Sequence, residues 1–596
     1  MGDTREHSAL SEDRTEPFSQ SEIQARLQRS RMEGFDALHS AVPLDKLVVP
    51  TDDDIRILMR PLARDRSVRE DGNVTLLALR SQAPEEDEPP HQVLAVRQTA
   101  RDVSFTVHIP DPNHPDYRLV CILYYDPASD NQVIWNRSNV PFQLSRVSEE
   151  PEELRGARYD VNPNFSKPLP PGTWRITMGG ADLLDFRLLE RRPVRARAVS
   201  SASSSDSLNA SGKRPLEGDD DGGSSSKRAR ASSPAEQADG VIMILPGKDS
   251  AKGKELVVAS GHPLLDMESG NTLEVPRGGG LVGYTITKNK LIASTRLSSV
   301  FTAEYSEAPG RYVVAKVLKT PAPGAKGNDG ALAAAVIRQA QMWLRELENQ
   351  ENLRHKNIVH LYGGDARFLS LYMESVDGKD LSAHDAWRHR DTDLFAGDRT
   401  DALRILRDTA SGLHYLHSLR LAHNDIKPGN ILYSRERGAV VCDMGLSSRG
   451  GASTSGGTPW YVPPEFIGLR QRGLPSDVWA LGIVMLYVLG KMPLPDSRGV
   501  ARHPQRLIWL IADVHNTRDP PLQDKAVRSM RSWLTEVNAV RGALDLHDKL
   551  ERIVYGMLAP NPKERLTMKS IVAQLFDDSS SSSEEKTTAA PPLNST

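Results

Sequence analysis

Residues 196–240 break this chain into parts that must fold separately. Residues 200–207 are almost all serine, Asp219-Asp220-Asp221 is a run of like charge, and Ser224-Ser225-Ser226 follows. Such a stretch has too little apolar surface to repay the entropy of ordering it. Length alone, 596 residues, predicts about four domains. Only 38% of the residues are hydrophobic, and the polar ones cluster in patches, so two folded domains are expected. The expected divisions are a disordered tail at 1–35, a β domain at 36–195 and a disordered linker at 196–240. A pre-domain segment at 241–283, a larger domain at 284–577 and a Ser- and acid-rich disordered tail at 578–596 complete them.

The formal net charge is −3, which points to no charged partner for the chain as a whole. Two cysteines, Cys121 and Cys442, exclude a disulfide framework or a Cys-rich zinc site and fit a reducing compartment. The N-terminus is polar and charged, unlike a secretory signal. The apolar run 478–490 is too short to cross a bilayer and reads as a buried helix. A soluble intracellular protein with no membrane partner is expected.

In 36–195, Val103, Phe105, Val107 and Ile109 alternate with other residues, and 119–125 is another apolar stretch. Pro, Asn, Asp and Gly separate these runs, which is the pattern of an antiparallel β domain. From 284 onward strand patterns come first and helical patterns follow.

The densest chemistry lies in His423-Asn424-Asp425-Ile426-Lys427-Pro428-Gly429-Asn430-Ile431-Leu432. An Asp, a Lys two residues on and an Asn three further on fit the needs of phosphoryl transfer. A carboxylate orients an attacking hydroxyl and takes its proton, a cation offsets phosphoryl charge, and a neutral oxygen helps to hold magnesium. Next, the apolar Val440-Val441-Cys442 ends in Asp443-Met444-Gly445, which suits a magnesium ligand at a strand end.

These segments resemble the catalytic loop and the Asp-Phe-Gly motif of the eukaryotic-type protein kinase family. The resemblance covers about half of the chain, with further motifs in order. Tyr312-Val313-Val314-Ala315-Lys316 is similar to the strand bearing the phosphate-contacting lysine, and Glu346 to the helix glutamate that pairs with it. Met373-Glu374-Ser375-Val376 resembles the hinge. Glu465, Asp477 and Arg565 match structural positions of the family, the first and last as an ion pair, together with His423 and Gly445. The resemblance implies a bilobal α+β fold, with a small β-rich N-lobe and a mainly helical C-lobe, preceded by the β-sandwich-like domain and the linker. It implies ATP and Mg2+ as cofactors, Asp425 and Lys427 as catalytic groups, and Asn430 and Asp443 as metal ligands. ATP would contact Lys316, Glu346, Ala293, Ser298, Val300, Ala315, Glu374, Val376 and Leu432. Lys427 and Thr458 are typical of members that act on serine and threonine, so protein substrates bearing those residues are implied.

The chain departs from the family at three places. Ala293, Thr295 and Ser298 stand where the phosphate-covering hairpin has glycines, which let backbone N–H groups approach phosphate. Asn424 stands where many members have an arginine that binds a phosphorylated activation segment. Control by such phosphorylation is therefore not expected, although Ser447, Ser448, Ser453, Thr454 and Ser455 remain candidate sites. Met444 replaces Phe, an apolar exchange. No metal ligand or catalytic group is missing, so an active enzyme is preferred to a pseudokinase scaffold.

In the β domain, Ser129, Asn131 and Asn136 are spaced similarly to the forkhead-associated family, which binds phosphothreonine peptides. That resemblance implies Ser129 and Asn131 as phosphopeptide contacts and allows an adaptor role, although Gln132 stands at the signature glycine. The alternative is an unrelated sandwich with ordinary Asx turns. Finally, Lys213-Arg214 and Lys227-Arg228-Ala229-Arg230 have the spacing of a bipartite nuclear signal read by an import carrier. A nuclear signalling kinase is the expectation, with the cytoplasm as the alternative. Direct nucleic-acid binding is not expected, because the basic residues are few and nearby acids offset them.

Overall fold

The structure is a computed structural model. It describes residues 42–50, 54–62, 74–82, 89–110, 118–147, 158–191, 194–197, 255–258, 261–276, 283–450, 456–470, 472–499 and 509–576. The 1–35 and 578–596 tails and the basic clusters of 213–230 lie outside these residues. The chain divides into two units.

The first unit is built on strands β1 (Ile55–Pro61), β2 (Val74–Leu79), β3 (His91–Arg97), β4 (Ser104–Ile109), β5 (Leu119–Tyr125) and β6 (Gln132–Asn136). Strands β7 (Phe142–Arg146), β8 (Tyr159–Val161), β9 (Ser166–Leu169), β10 (Gly172–Met178) and β11 (Ala181–Leu188) follow. They form a seven-stranded sheet, in the order β2-β3-β1-β11-β10-β7-β8, and a four-stranded sheet, β4-β5-β6-β9. Alternation supplies one apolar face to each sheet. Ile57, Trp174 and Phe186 from the first share a buried core with Val107, Cys121 and Leu123 from the second.

The second unit opens with an eight-stranded sheet. Its members are β12 (Val194–Arg197), β13 (Glu255–Val258), β14 (Thr272–Val275), β15 (Tyr284–Ser294), β16 (Ser298–Tyr305), β17 (Tyr312–Leu318), β18 (Leu361–Asp365) and β19 (Ser370–Glu374). Their order is β13-β12-β14-β15-β16-β17-β19-β18. The boundary read at 195/196 therefore falls inside β12. The segment 241–283 supplies β13, β14 and the short helix Pro263–Asp266. Leu264, Met267 and Leu273 from it enter the apolar core with Ile286, Phe301 and Val317. Helix α1 (Asp329–Gln350) lies between β17 and β18 in the chain.

The helical part contains α2 (Arg399–Ser418), α3 (Leu474–Val488), α4 (Pro520–Gly542), α5 (Lys549–Met557) and α6 (Met568–Phe576). Helix α3 is apolar on all sides, and residues 476–488 are buried, as a central helix requires. Among the described residues no helix is long and apolar enough to cross a membrane. Short strands β20 (Lys379–Asp380), β21 (Leu421–Ala422), β22 (Ile431–Ser434), β23 (Gly438–Val441) and β24 (Ser448–Arg449) frame the loops between α2 and α3.

Asp398 and Asp401 form a capping box at the start of α2. Asp401 accepts from Arg435 at 2.7 Å and from the Tyr433 hydroxyl at 2.8 Å. The Arg435 hydrogen bonds hold the Asp401 carboxyl down to about 2, against burial that would raise it. An unfolded Asp titrates near ~3.9. The stabilisation is therefore fully present above that pH and is lost as pH falls through the folded value. In urea unfolding, Asp401→Asn is expected to flatten the loss of stability between about pH 4 and pH 2.

Candidate active site

The loop from β21 to β22 is shaped from beneath by one buried carboxylate. Asp477, in the first turn of α3, accepts the backbone N–H groups of His423 and Asn424, each at 2.8 Å, and lies 3.0 Å from His417 Nε2. Burial raises its carboxyl, but these hydrogen bonds prevail and keep it below the ordinary value. Asn424 thereby takes φ 63°, a left-handed conformation that asparagine tolerates. The His423 ring reaches the Cys442 carbonyl at 3.1 Å, tying this loop to the strand that presents Asp443.

Asp425 is the centre of a converging set. Lys427 Nζ donates to its Oδ2 at 2.7 Å and to Thr458 Oγ1 at 3.0 Å. Asn430 Nδ2 donates to the Asp425 carbonyl at 2.8 Å and to Oδ2 at 3.1 Å. Thr458 donates to Oδ1 from its backbone at 3.2 Å and its hydroxyl at 3.3 Å. The Asp425 carboxylate, the Lys427 ammonium and Thr458 are held at one point.

A second cluster joins the sheet to the helical part. Lys316 on β17 donates to Glu346 Oε1 at 2.8 Å and Oε2 at 3.0 Å, and to Asp443 Oδ1 at 2.7 Å. Burial raises the Glu346 carboxyl, whereas the two carboxylates together raise the Lys316 ammonium despite its burial. Burial also works against the Asp443 carboxylate, but Lys316 holds its pKa down to about 2, so it is ionised at neutral pH. Asp443 has φ 66°, and a Cβ on Gly445 would come 3.3 Å from both Asp443 Oδ1 and Glu346 Oε2.

Among the described residues neither Asn430 Oδ1 nor Asp443 Oδ2 has a hydrogen-bond partner. The side chain of Asp443 is 44% exposed. One carboxylate oxygen and one amide oxygen are the kind of hard donors that would suit a magnesium ion. Leu432 lies on β22, and Ala315 pairs with Tyr372 across β17 and β19. Glu374 ends β19, followed by Val376, and accepts from Arg437 at 3.3 Å. Glu465 meets Arg565 in a buried bidentate pair at 2.8 and 2.9 Å.

The hairpin of β15 and β16 forms without glycines, with Ala293 opposite Val300. Thr295 Oγ1 accepts the N–H groups of Leu297 at 3.2 Å and Ser298 at 3.1 Å. Lys319 Nζ fastens the tip through Ser294 Oγ at 2.7 Å and the Thr295 carbonyl at 3.0 Å. Amides that could face phosphate are thus spent inside the turn. Thr295→Gly frees them, and its expected effect is a KM for ATP lowered on the order of threefold, since a charged hydrogen bond outweighs the glycine entropy. Initial-rate kinetics at varied ATP would check this.

Ser447, a candidate modification site, is fully buried, with its hydroxyl 3.5 Å from the His423 carbonyl, so it is not open to modification in this arrangement. Ser448 accepts from Asn424 Nδ2 at 2.8 Å. Ser453, Thr454 and Ser455 lie outside the described residues. Ser129 and Asn131 belong to the other unit, in the β5–β6 turn. There the Ser129 hydroxyl donates to Asp126 and accepts the Asn131 N–H at 3.3 Å. Lys319 and Arg472 carry no functional signal in the sequence. Neither belongs to a recognisable motif, and the role of each depends on contacts made through folding.

Residues 296–576 match the model of the protein kinase domain. The serine/threonine-protein kinase PLK4 of Drosophila melanogaster is 29% identical over 247 residues, covering 39% of this chain and 27% of that protein. PLK4 of Drosophila ananassae is 34% identical over 154 residues, 24% of this chain and 19% of the relative. Mkk2 of Aspergillus fumigatus, a mitogen-activated protein kinase kinase, is 30% identical over 200 residues, 32% and 39% respectively. The match to these relatives thus spans between about a fifth and two fifths of their length.

Proposed function

Because residues 296–576 form a protein kinase domain of the eukaryotic serine/threonine type, we propose that this chain transfers the γ-phosphate of Mg-ATP to serine or threonine in protein substrates. The observation that carries the proposal is the completed pair of clusters, Lys316–Glu346–Asp443 and Asp425–Lys427–Asn430. Lys316 would meet the α- and β-phosphates, and Glu346 fixes the direction of its ammonium. Asp425 orients the acceptor hydroxyl and takes its proton as the new O–P bond forms, while the bond from the γ-phosphorus to the β–γ bridging oxygen breaks and ADP leaves with that electron pair. Lys427, already bridging Asp425 and Thr458, would meet the transferred group. Asn430 and Asp443 would hold the magnesium, whose charge offsets that of the phosphates.

The test is transfer of labelled phosphate to peptides identical except for serine, threonine or tyrosine at the acceptor position. Labelling of the serine and threonine peptides supports the proposal, and labelling of tyrosine alone overturns the specificity. A scaffold role is the rival reading, and the glycine-free hairpin is its support. Phosphopeptide capture through Ser129 and Asn131 has less support, since the Ser129 hydroxyl is engaged by Asp126. The nuclear reading rests on the Lys213-Arg214 and Lys227-Arg228-Ala229-Arg230 clusters alone. Substituting alanine for Lys227, Arg228 and Arg230 in a tagged chain should move it out of nuclei.

A further inference from the structure

Arg472 lies five residues before Asp477 and is 5% exposed. A guanidinium in such a place is costly to desolvate, so its partners indicate what it does. Its Nη1 donates to the Gly456 carbonyl at 2.6 Å, and its Nη2 donates to the Asn424 carbonyl. Asp425 and Asp477 attract its charge. One side chain thus joins the backbone just before the catalytic base to the backbone just before Thr458. The fit around it is close. A Cβ on Gly457, which has φ 108°, would come within 2.9 Å of Arg472 Nη1 and 3.4 Å of Asp425 Oδ1. Gly457 is therefore required both by its conformation and by the guanidinium beside it.

At position 424, where an arginine could have waited for a phosphate, there is an asparagine turned inward to Leu446 and Ser448. Segment ordering by phosphorylation works through new arginine–phosphate pairs. Here a permanent arginine makes the bridge to backbone carbonyls instead, and needs no added charge.

We propose that Arg472 is a positioning residue that holds Gly456–Thr458 against Asp425 and so keeps the site assembled without phosphorylation of the 443–465 segment. The proposal rests on the kinase reading for its consequence in catalysis, but not for the bridge itself. Arg472 donates to two backbone carbonyls, those of Gly456 and Asn424. It acts through Thr458, whose N–H and hydroxyl both face Asp425.

The experiment uses the full chain, with Arg472→Gln and Arg472→Lys variants checked for folding by melting temperature. Amide hydrogen exchange at 456–458 is read first, because it needs no activity. Arg472→Gln should exchange faster there, with α3 core amides unchanged, and Arg472→Lys should lie between. Peptide phosphorylation should fall on the order of tenfold in kcat for Arg472→Gln, with KM for ATP unchanged. Wild type treated with phosphatase should keep its rate. Unchanged exchange at 456–458 in both variants overturns the proposal. So does a wild type silenced by phosphatase while Arg472→Gln behaves like wild type. An inactive wild type whose Arg472→Gln variant still loosens 456–458 sinks the kinase reading and leaves the bridge standing.

Discussion

Asp425→Asn should reduce phosphate transfer by about 10²- to 10⁴-fold, the usual contribution of a positioned general base. The substitution keeps the shape of the side chain and removes its ability to take a proton. It also places an amide N–H2 among groups that all donate. Lys427, Asn430 and both donors of Thr458 point at the two carboxylate oxygens. Some of the loss would therefore come from rearrangement around the amide, and Asp425→Glu separates the two effects. Glutamate keeps the base but moves it by one methylene, so it should recover part of the rate if proton transfer is the main term. Initial rates of all three proteins at saturating Mg-ATP would check this.

Glu465→Ala should destabilise the helical part by about 3–5 kcal/mol, the cost of leaving a buried charge without its partner. Arg565 has a fully buried side chain, and Glu465 is only 9% exposed. The guanidinium also donates to the carbonyls of Pro475 at 2.8 Å and Ala559 at 3.0 Å and lies 5.2 Å from the centre of the Trp479 ring. Those contacts would keep it buried after the carboxylate is gone, which is why the loss should be large. Replacing both partners by methionine should recover most of the stability, since no uncompensated charge then remains. The urea midpoint of each protein reads this directly. A single variant within about 0.5 kcal/mol of wild type, the range of ordinary surface changes, would show that the pair is dispensable.

The bilobal architecture was legible because kinase-like segments appear in a fixed order along the chain. The chemistry around Asp425 was legible for a local reason. Asp425, Lys427 and Asn430 fall within six residues, so their spacing alone shows that one loop can bring them together. Lys316, Glu346 and Asp443 are far apart in sequence, and only the family resemblance links them until the fold brings both carboxylates within 3.0 Å of the Lys316 ammonium.

Elsewhere the sequence carried little local signal. Val194–Arg197 is four residues long and alternates apolar and arginine side chains, so it reads as part of the neighbouring polar stretch. Its antiparallel partners, 255–258 and 272–275, lie beyond the Ser-rich segment. Strand pairing across such a distance leaves no periodicity to detect. The cluster of serines at 447–455 marks Ser447 as a candidate for modification, but the fold turns it inward while its neighbour pairs with β21. Arg472 looked like any other basic residue of a loop. The same holds for Lys319, whose value to the hairpin depends on a turn that closes more than twenty residues earlier.

The most direct test of the account is a time course of labelled phosphate transfer from Mg-ATP to a serine or threonine peptide by the purified full-length chain. Incorporation should rise linearly with time and stop when magnesium is chelated. A well-folded chain that transfers no phosphate, and whose melting temperature Mg-ATP leaves unchanged, would contradict it and favour the scaffold.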